Sequence, residues 1–163
     1  MRETTKRLLI IQGYENELVC TCRNISGLVR WTPLACAVMG TMGLCLKNPF
    51  YFLALGLATS IGGLTSRSFY DYIYNYTLRF LLRTDKTPLH GNQRRFGCTI
   101  GAVLYISGGI GFLTRIAWLA YAPTVFMIAL AYTAAVTQWC FASSLYNLIF
   151  LQRPLPKEMT HQR

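Results

Sequence analysis

The sequence predicts an all-α integral membrane protein, a four-helix bundle made of two helical hairpins. Hydrophobic residues make up 53% of the 163 residues and charged residues only 13%, about half the charged share of a soluble domain. The few charges are also grouped, so that long uncharged runs alternate with short charged breaks. A single soluble domain of this length needs a charged surface that the chain lacks, so we expect the apolar runs to cross a membrane.

The first hairpin is predicted from two apolar runs and the turn between them. The first run becomes long enough to approach the ~30 Å hydrocarbon core if its helix covers about 28–46. Lys47-Asn48-Pro49 interrupts the pattern, because proline cannot continue a helix. The second helix is predicted over about 50–66, where Phe50 and Tyr51 suit a membrane interface.

The second hairpin is predicted from two further uncharged runs. Its first helix covers about 96–114 and ends before Arg115. The next run is too long for one comfortable span, and Pro123 is best placed in the first turn of a helix. We therefore expect Ile116–Tyr121 to be an interfacial connector and the fourth helix to cover about 123–150.

The basic residues predict the orientation of the chain. Only two of the 16 lysines and arginines, Lys47 and Arg115, fall in the turns between paired helices. The others lie in the N-terminal segment 1–30, in the central loop 67–95 and in the basic tail 152–163, which flank the membrane domain 31–151. The positive-inside rule places these three segments, and both termini, in the cytoplasm.

The two hairpins resemble each other, which suggests a parallel internal repeat. The identities at constant spacing are Arg30 with Arg95, Ala37 with Ala102, Val38 with Val103, and Gly43 with Gly108. Small residues at four-residue spacing, Gly97 with Gly101 and Ala131 with Ala135, predict close helix contacts. We favour packing inside one bundle over a dimer face.

The central loop opens with a pattern typical of an interfacial amphipathic helix. Aromatic and aliphatic residues share one face, and polar residues recur at four-residue steps along another, where Arg67 and Asp71 could pair. With two further arginines, the polar residues form a candidate cytoplasmic docking surface: Arg67, Asp71, Asn75, Arg79, Arg83, Arg94 and Arg95. The alternative is an ordinary solvated face, and a phosphate site is not expected because no glycine-rich phosphate loop is present.

The end of the predicted fourth helix is the only apolar run with marked polar content. Its candidate functional residues are Gln138, Cys140, Ser143, Ser144, Tyr146 and Asn147. Such residues either mark a functional site or act as hydrogen-bonding glue between helices. If the protein has a site, we expect this polar turn, 138–147, and the interfacial helix, 68–83, to form it together.

Several classes of function are not expected. No acidic or basic residue falls in a predicted span, apart from Arg30 at the start of the first, which argues against a proton-coupled pump or a charge-selective channel. The formal charge of +10 lies in helix flanks, so no nucleic-acid partner is expected. The six cysteines are scattered and the histidines isolated, so we expect no disulfide framework, metal, cofactor or enzymatic activity.

Arg95-Phe96 and the stretch Trp139-Cys140-Phe141-Ala142-Ser143-Ser144-Leu145-Tyr146 resemble the bacterial membrane family called domain of unknown function 4395. The resemblance implies a bacterial inner membrane location. Members commonly carry Cys-x-Gly-Cys followed by a tyrosine, and Cys140 and Tyr146 match this pattern. Ala142 and Ser143 replace the glycine and the second cysteine, and a dithiol relay needs both sulfurs.

Three functional hypotheses follow. The favoured one is a non-catalytic scaffold or accessory subunit that contacts anionic lipid of the cytoplasmic leaflet, with a protein partner or as a homo-oligomer. The second is a thiol-redox partner protein that uses Cys140, which the family resemblance suggests. The third is an oligomeric transporter or channel for a small solute.

Overall fold

The computed structural model describes Tyr14, residues 25–84 and residues 86–151. Within these residues the chain is helical and contains no β-strand, which confirms the all-α class. The helices are α1 Ile25–Leu46, α2 Pro49–Leu64, α3 Phe69–Ile73, α4 Arg79–Leu82, α5 Asn92–Thr114, α6 Ala117–Thr137 and α7 Phe141–Tyr146. Two π-helical turns follow α3 and α7, at Tyr74–Leu78 and Asn147–Leu151.

Three of these helices are long and apolar enough to cross a membrane. They are α1 from Gly27, α5 and α6, and a fourth span arises if α2 and the segment Phe69–Leu82 are counted together. With 16 residues, α2 alone extends about 24 Å, somewhat less than a typical hydrocarbon core. The prediction of several apolar membrane-type helices is therefore confirmed.

The first hairpin turns where the sequence predicts it. Lys47 ends α1 with a left-handed backbone, φ 50°. Asn48 caps α2, because its side-chain oxygen accepts a hydrogen bond from Phe50 N at 3.0 Å, and Pro49 occupies the first helical position, where its missing N–H costs nothing. The helices themselves differ from the prediction by a few residues, since α1 begins at Ile25 and α2 ends at Leu64.

Helices of different hairpins pack against one another. The main contacts join α2 to α5 and α1 to α6, and α5 also packs on α6. Their core is aromatic, with Phe52 fully buried between Tyr105 and Phe112. The glycines mediate contacts inside the chain, as Gly101 approaches Met127. The cross-pairing is what a two-fold relation would require, but α1 contacts α2 much less than α5 contacts α6, so the repeat stays a prediction.

The fourth helix differs most from its prediction. The expected connector, 116–121, belongs almost entirely to α6, which begins at Ala117, contains Pro123 and ends at Thr137. Gln138 then breaks the helix with a left-handed backbone, φ 58°. The prediction of one helix over 123–150 is wrong at both ends. The helix begins earlier, because proline is tolerated inside a membrane helix that neighbouring helices support, and it ends at Thr137.

The segment Phe69–Leu82, here called the arm, leaves α2 at an angle of 88°. It starts with a capping box in which Ser68 Oγ accepts from Asp71 N at 3.3 Å and Asp71 Oδ2 accepts from Ser68 N at 2.9 Å. Its polar residues Asp71 and Asn75 are buried, whereas Tyr76, Phe80 and Leu81 are exposed. The arm therefore turns its apolar side outward and buries Asp71 and Asn75, two polar residues that the sequence places on a docking surface.

Candidate functional site

Asp71 is the centre of a buried polar cluster that links the arm, α1 and the loop before α5. Its Oδ1 accepts a hydrogen bond from Thr32 Oγ1 at 2.7 Å. Its Oδ2 lies 2.8 Å from His90 Nε2 and also accepts from Ser68 N. Because only 1% of its surface is exposed, this carboxylate is bonded by three protein donors in place of water.

The cluster lowers the pKa of Asp71 and of His90. Burial alone would raise the pKa of Asp71, but the hydrogen bond and charge of His90, the charge of Arg94 and the Thr32 hydroxyl outweigh it and lower the pKa to about 2. Burial, with the nearby Arg94 charge, also lowers the pKa of His90 against the opposing effect of Asp71. The neutral imidazole then donates Nε2–H to the carboxylate, and its buried Nδ1 has no hydrogen-bond partner among the described residues.

Lowering the pH from 8 to 5 is expected to destabilise the protein through His90. The unfolded histidine titrates near 6.5, while the folded pKa lies lower. In this window the unfolded state therefore binds more protons, and stability falls by at most about 1.4 kcal/mol per pH unit. Asp71 contributes no slope here, because its carboxylate is ionised in both states above pH 5.

His90→Gln, which keeps a donor for Asp71, should flatten this dependence. The measurement is thermal unfolding in detergent from pH 8 to pH 5 for wild type and variant. The other histidine, His161, is present in both the wild type and the variant, so its titration does not contribute to the difference between their slopes. Equal slopes for the two proteins would contradict the assignment to His90.

Arg94 supplies the positive charge beside this cluster. Arg94 lies in the first turn of α5, and 8% of the surface of this residue is exposed. Its Nη2 donates to the carbonyl oxygen of Val29 in α1 at 3.1 Å, and its guanidinium carbon lies 5.6 Å from the ring centroid of Tyr14, a cation–π distance. Burial raises the pKa of Tyr14 above its ordinary value, so this ring stays neutral.

A cavity of about 100 Å³ opens beside Arg94, between α1, α2, α5 and α6. Three cysteines from separate helices or breaks line it, namely Cys36, Cys98 and Cys140, and all three are free thiols. Ser68 and Tyr70, at the start of the arm, line it as well. The arm and the polar turn thus meet at this one cavity.

The seven predicted docking residues do not form one exposed surface. Asp71, Asn75 and Arg94 are buried, so the prediction is wrong at these positions. Asn75 is held by the loop, since its Nδ2 donates to Thr87 Oγ1 at 2.8 Å and its Oδ1 accepts from Thr87 N at 3.0 Å. The remaining four, Arg67, Arg79, Arg83 and Arg95, are half-buried or exposed.

Arg79 and Arg95 donate hydrogen bonds to backbone carbonyls of the same chain. Arg79 Nε donates to the carbonyl of Thr84 at 3.3 Å. Arg95 donates to Gly63 O and Leu64 O at the end of α2, at 3.2 Å and 2.6 Å, where a cation also suits the helix dipole. The expected pairing of Asp71 with Arg67 is replaced by the contacts of Asp71 with Thr32 and His90.

The predicted polar turn contains the break between α6 and α7. Cys140 precedes α7 and is half-buried, while Gln138 and Ser143 are buried. Ser144 Oγ donates back to Cys140 O at 3.2 Å, as the one-turn spacing predicts. Ser143, where the family pattern has its second cysteine, is fully buried. Within the described part of the chain its Oγ has no hydrogen-bond partner, and thiol exchange at Cys140 stays a hypothesis.

The other two candidates lie beyond the break. Tyr146 packs its ring against Phe96 and Phe150, with centroid distances of 5.5 Å and 4.8 Å, and Asn147 is half-buried at the start of the last π-helical turn. Tyr146 therefore lies in the contact between α5 and the end of the described chain.

Sequence reasoning missed the residues Tyr14, Thr32, Cys36, His90 and Cys98. Thr32 and Cys36 share one face of α1, so their four-residue spacing was a usable signal. His90 was considered isolated because its partner Asp71 is distant in sequence. Within the described residues no group of histidine, cysteine or acidic side chains could hold a metal ion.

Comparison with known proteins gives a family and no named relative. The profile of the family described as domain of unknown function (DUF4395) matches residues 26–150. No curated protein and no solved structure matches the chain. Because the match covers most of the chain, this protein belongs to the DUF4395 family, as the residues around Arg95 and Cys140 indicated.

Proposed function

We propose that this chain is a non-catalytic membrane scaffold or accessory subunit whose arm lies along the anionic cytoplasmic leaflet of a bacterial inner membrane. The observation that carries the proposal is the direction and polarity of the arm. It leaves the apolar helix α2 at 88°, so it runs along the membrane surface when α2 crosses the bilayer. Its exposed side is apolar and aromatic, as in helices that lie in the interface.

The arm is held to the membrane domain from its inner side. Asn75 and Thr87 share two hydrogen bonds, Tyr74 Oη bonds Thr84 Oγ1 at 2.6 Å, and Trp31 Nε1 donates to Tyr70 O at 3.0 Å. With its polar groups satisfied inward, the arm can place Tyr76 and Phe80, which are 76% and 69% exposed, among lipid headgroups.

Basic residues at the end of the arm support an anionic leaflet. Arg83 and Lys86 are both exposed, and each basic residue near an anionic surface contributes about 1 kcal/mol of attraction. The guanidinium carbon of Arg79 lies over the Phe80 ring, 5.6 Å from the ring centroid. The charge of Arg79 is therefore close to the aromatic side chain that we place among the headgroups.

The lipid contact predicts a stability difference between membranes. In nanodiscs, adding phosphatidylglycerol to a zwitterionic bilayer should raise the unfolding temperature of the wild type. Arg83→Gln with Lys86→Gln should remove most of this gain, because two attractive charges are lost. Lys47→Gln, a basic residue at the opposite end of the bundle, is the matched control and should keep the gain; equal losses in both proteins would contradict the proposal.

The scaffold role is tested by photo-cross-linking in intact membranes. A photoreactive phenylalanine analogue replaces Tyr76 on the arm or, as a control, Trp118, which is exposed near Arg115 at the opposite end of the bundle. An accessory subunit should give one defined protein adduct, or a dimer of this chain, from position 76 and not from position 118. Lipid adducts alone at both positions would contradict the scaffold role.

A further inference from the structure

We propose that the cysteine-lined cavity binds a small inorganic monoanion against the guanidinium of Arg94. The cavity lies at the end of the bundle where α5 begins and α6 breaks, next to the arm. Of the described residues that line it, only Arg94 carries a charged side chain. Such a ligand site goes beyond a scaffold role and does not depend on it.

Among the residues that the structure describes, no carboxylate is in direct contact with the buried guanidinium of Arg94. In the part of the chain that the structure describes, Asp71 already accepts hydrogen bonds from Thr32, Ser68 and the neutral His90. The hydrogen bond that Arg94 makes is to the Val29 carbonyl. A guanidinium has five N–H donors, so this buried charge lacks the paired, fully bonded environment that burial normally demands.

Tyr14 covers one face of the guanidinium, and the cavity adjoins it. The ring stacks on the cation and cannot accept the in-plane N–H groups. Those donors need an acceptor in the guanidinium plane, which a small oxyanion provides through two parallel hydrogen bonds.

The size and walls of the cavity define the class of anion. A volume of about 100 Å³ has room for several water-sized groups, since a cavity needs only about 10–15 Å³ on this measure to hold one water. A small oxyanion therefore fits. The walls are mostly apolar and include Met127, Leu130 and Ala134, which favours a weakly hydrated monoanion such as nitrate over sulfate or phosphate.

The test uses sodium nitrate as the probe and calorimetric titration of the purified chain in nanodiscs. Wild type should bind nitrate saturably, with one site per chain. Ala134→Leu fills the cavity and leaves Arg94 in place, and it should weaken binding at least tenfold. Ala129→Leu adds the same side chain at an exposed position of α6 outside the cavity and should bind as wild type does.

Arg94→Gln should also abolish nitrate binding, and a second readout covers the case in which either cavity variant does not fold. Saturating nitrate should slow alkylation of Cys140, which lines the cavity, and leave alkylation of the exposed Cys45 unchanged. Sodium sulfate at equal ionic strength is the salt control. Non-saturable binding, equal binding by Ala134→Leu, or equal protection of the two cysteines would overturn the proposal and assign the cavity to water.

Discussion

Asp71→Ala is expected to destabilise the membrane domain by about 3 kcal/mol or more, because three buried donors lose their acceptor and each unsatisfied group costs about 1–3 kcal/mol. The carboxylate is 1% exposed, and its loss leaves the Thr32 hydroxyl, the Ser68 N–H and the His90 Nε2–H without an acceptor. It also removes a negative charge that favours the charged form of Arg94. Half of the capping box is lost with the Asp71 side chain, while Ser68 Oγ still accepts from the backbone N of residue 71.

The measurement is the unfolding free energy, or the unfolding temperature, of the purified protein in detergent. Ser60→Ala is the control, because its exposed hydroxyl bonds only to Leu57 O of its own helix at 2.7 Å, and it should change stability by less than about 0.5 kcal/mol. Asp71→Asn should lie between the two, since one amide oxygen remains an acceptor. A loss below about 1 kcal/mol for Asp71→Ala would show that the cluster contributes little to stability.

The double substitution with Thr32→Val separates the parts of the cluster. If Thr32 stabilises the fold mainly through its hydrogen bond to Asp71 at 2.7 Å, Thr32→Val should cost much less in the Asp71→Ala background than in wild type. Contacting residues in one network commonly couple by about 0.5–3 kcal/mol. The coupling measures how strongly α1 and the arm hold each other.

The helices could be predicted from the sequence because their signals are local. Hydrophobic runs, the turn at Asn48-Pro49 and the flanking arginines depend on neighbouring residues only, and they gave the all-α membrane class and most helix positions. The start of α6 could not be predicted in the same way. A proline such as Pro123 normally marks the first turn of a helix. Only the packing of α6 on α1 and α5 shows that Pro123 is accommodated inside a longer helix.

The candidate site was harder to predict because its contacts join distant residues. The four-residue spacing of Asp71 and Asn75 is the same for a solvated face and for a face buried against other polar groups. The partners that decide between these, Thr32, His90 and Thr87, lie on other segments. Polar side chains at helical spacing therefore predict a shared face, but not whether that face meets water.

Gly111→Ala is expected to cost about 1–3 kcal/mol or more, because it overpacks the hairpin between α5 and α6. A Cβ at position 111 would collide with the backbone of Leu119 and Ala120. Backbone atoms cannot move aside as a flexible side chain can, so the two helices must separate. The same residue's carbonyl accepts from Ile116 N at 3.0 Å, and a shift would disturb this turn as well.

Gly27→Ala is the matched control, because it makes the same change in a helix where a Cβ would meet nothing within 4 Å. There alanine should stabilise by about 0.5–1 kcal/mol through its lower conformational entropy. The two variants therefore differ in sign although their helix propensities change equally, and thermal unfolding in one detergent measures both. A Gly111→Ala protein as stable as wild type would mean that α5 and α6 lie farther apart in the membrane than their close approach at Ala120 implies.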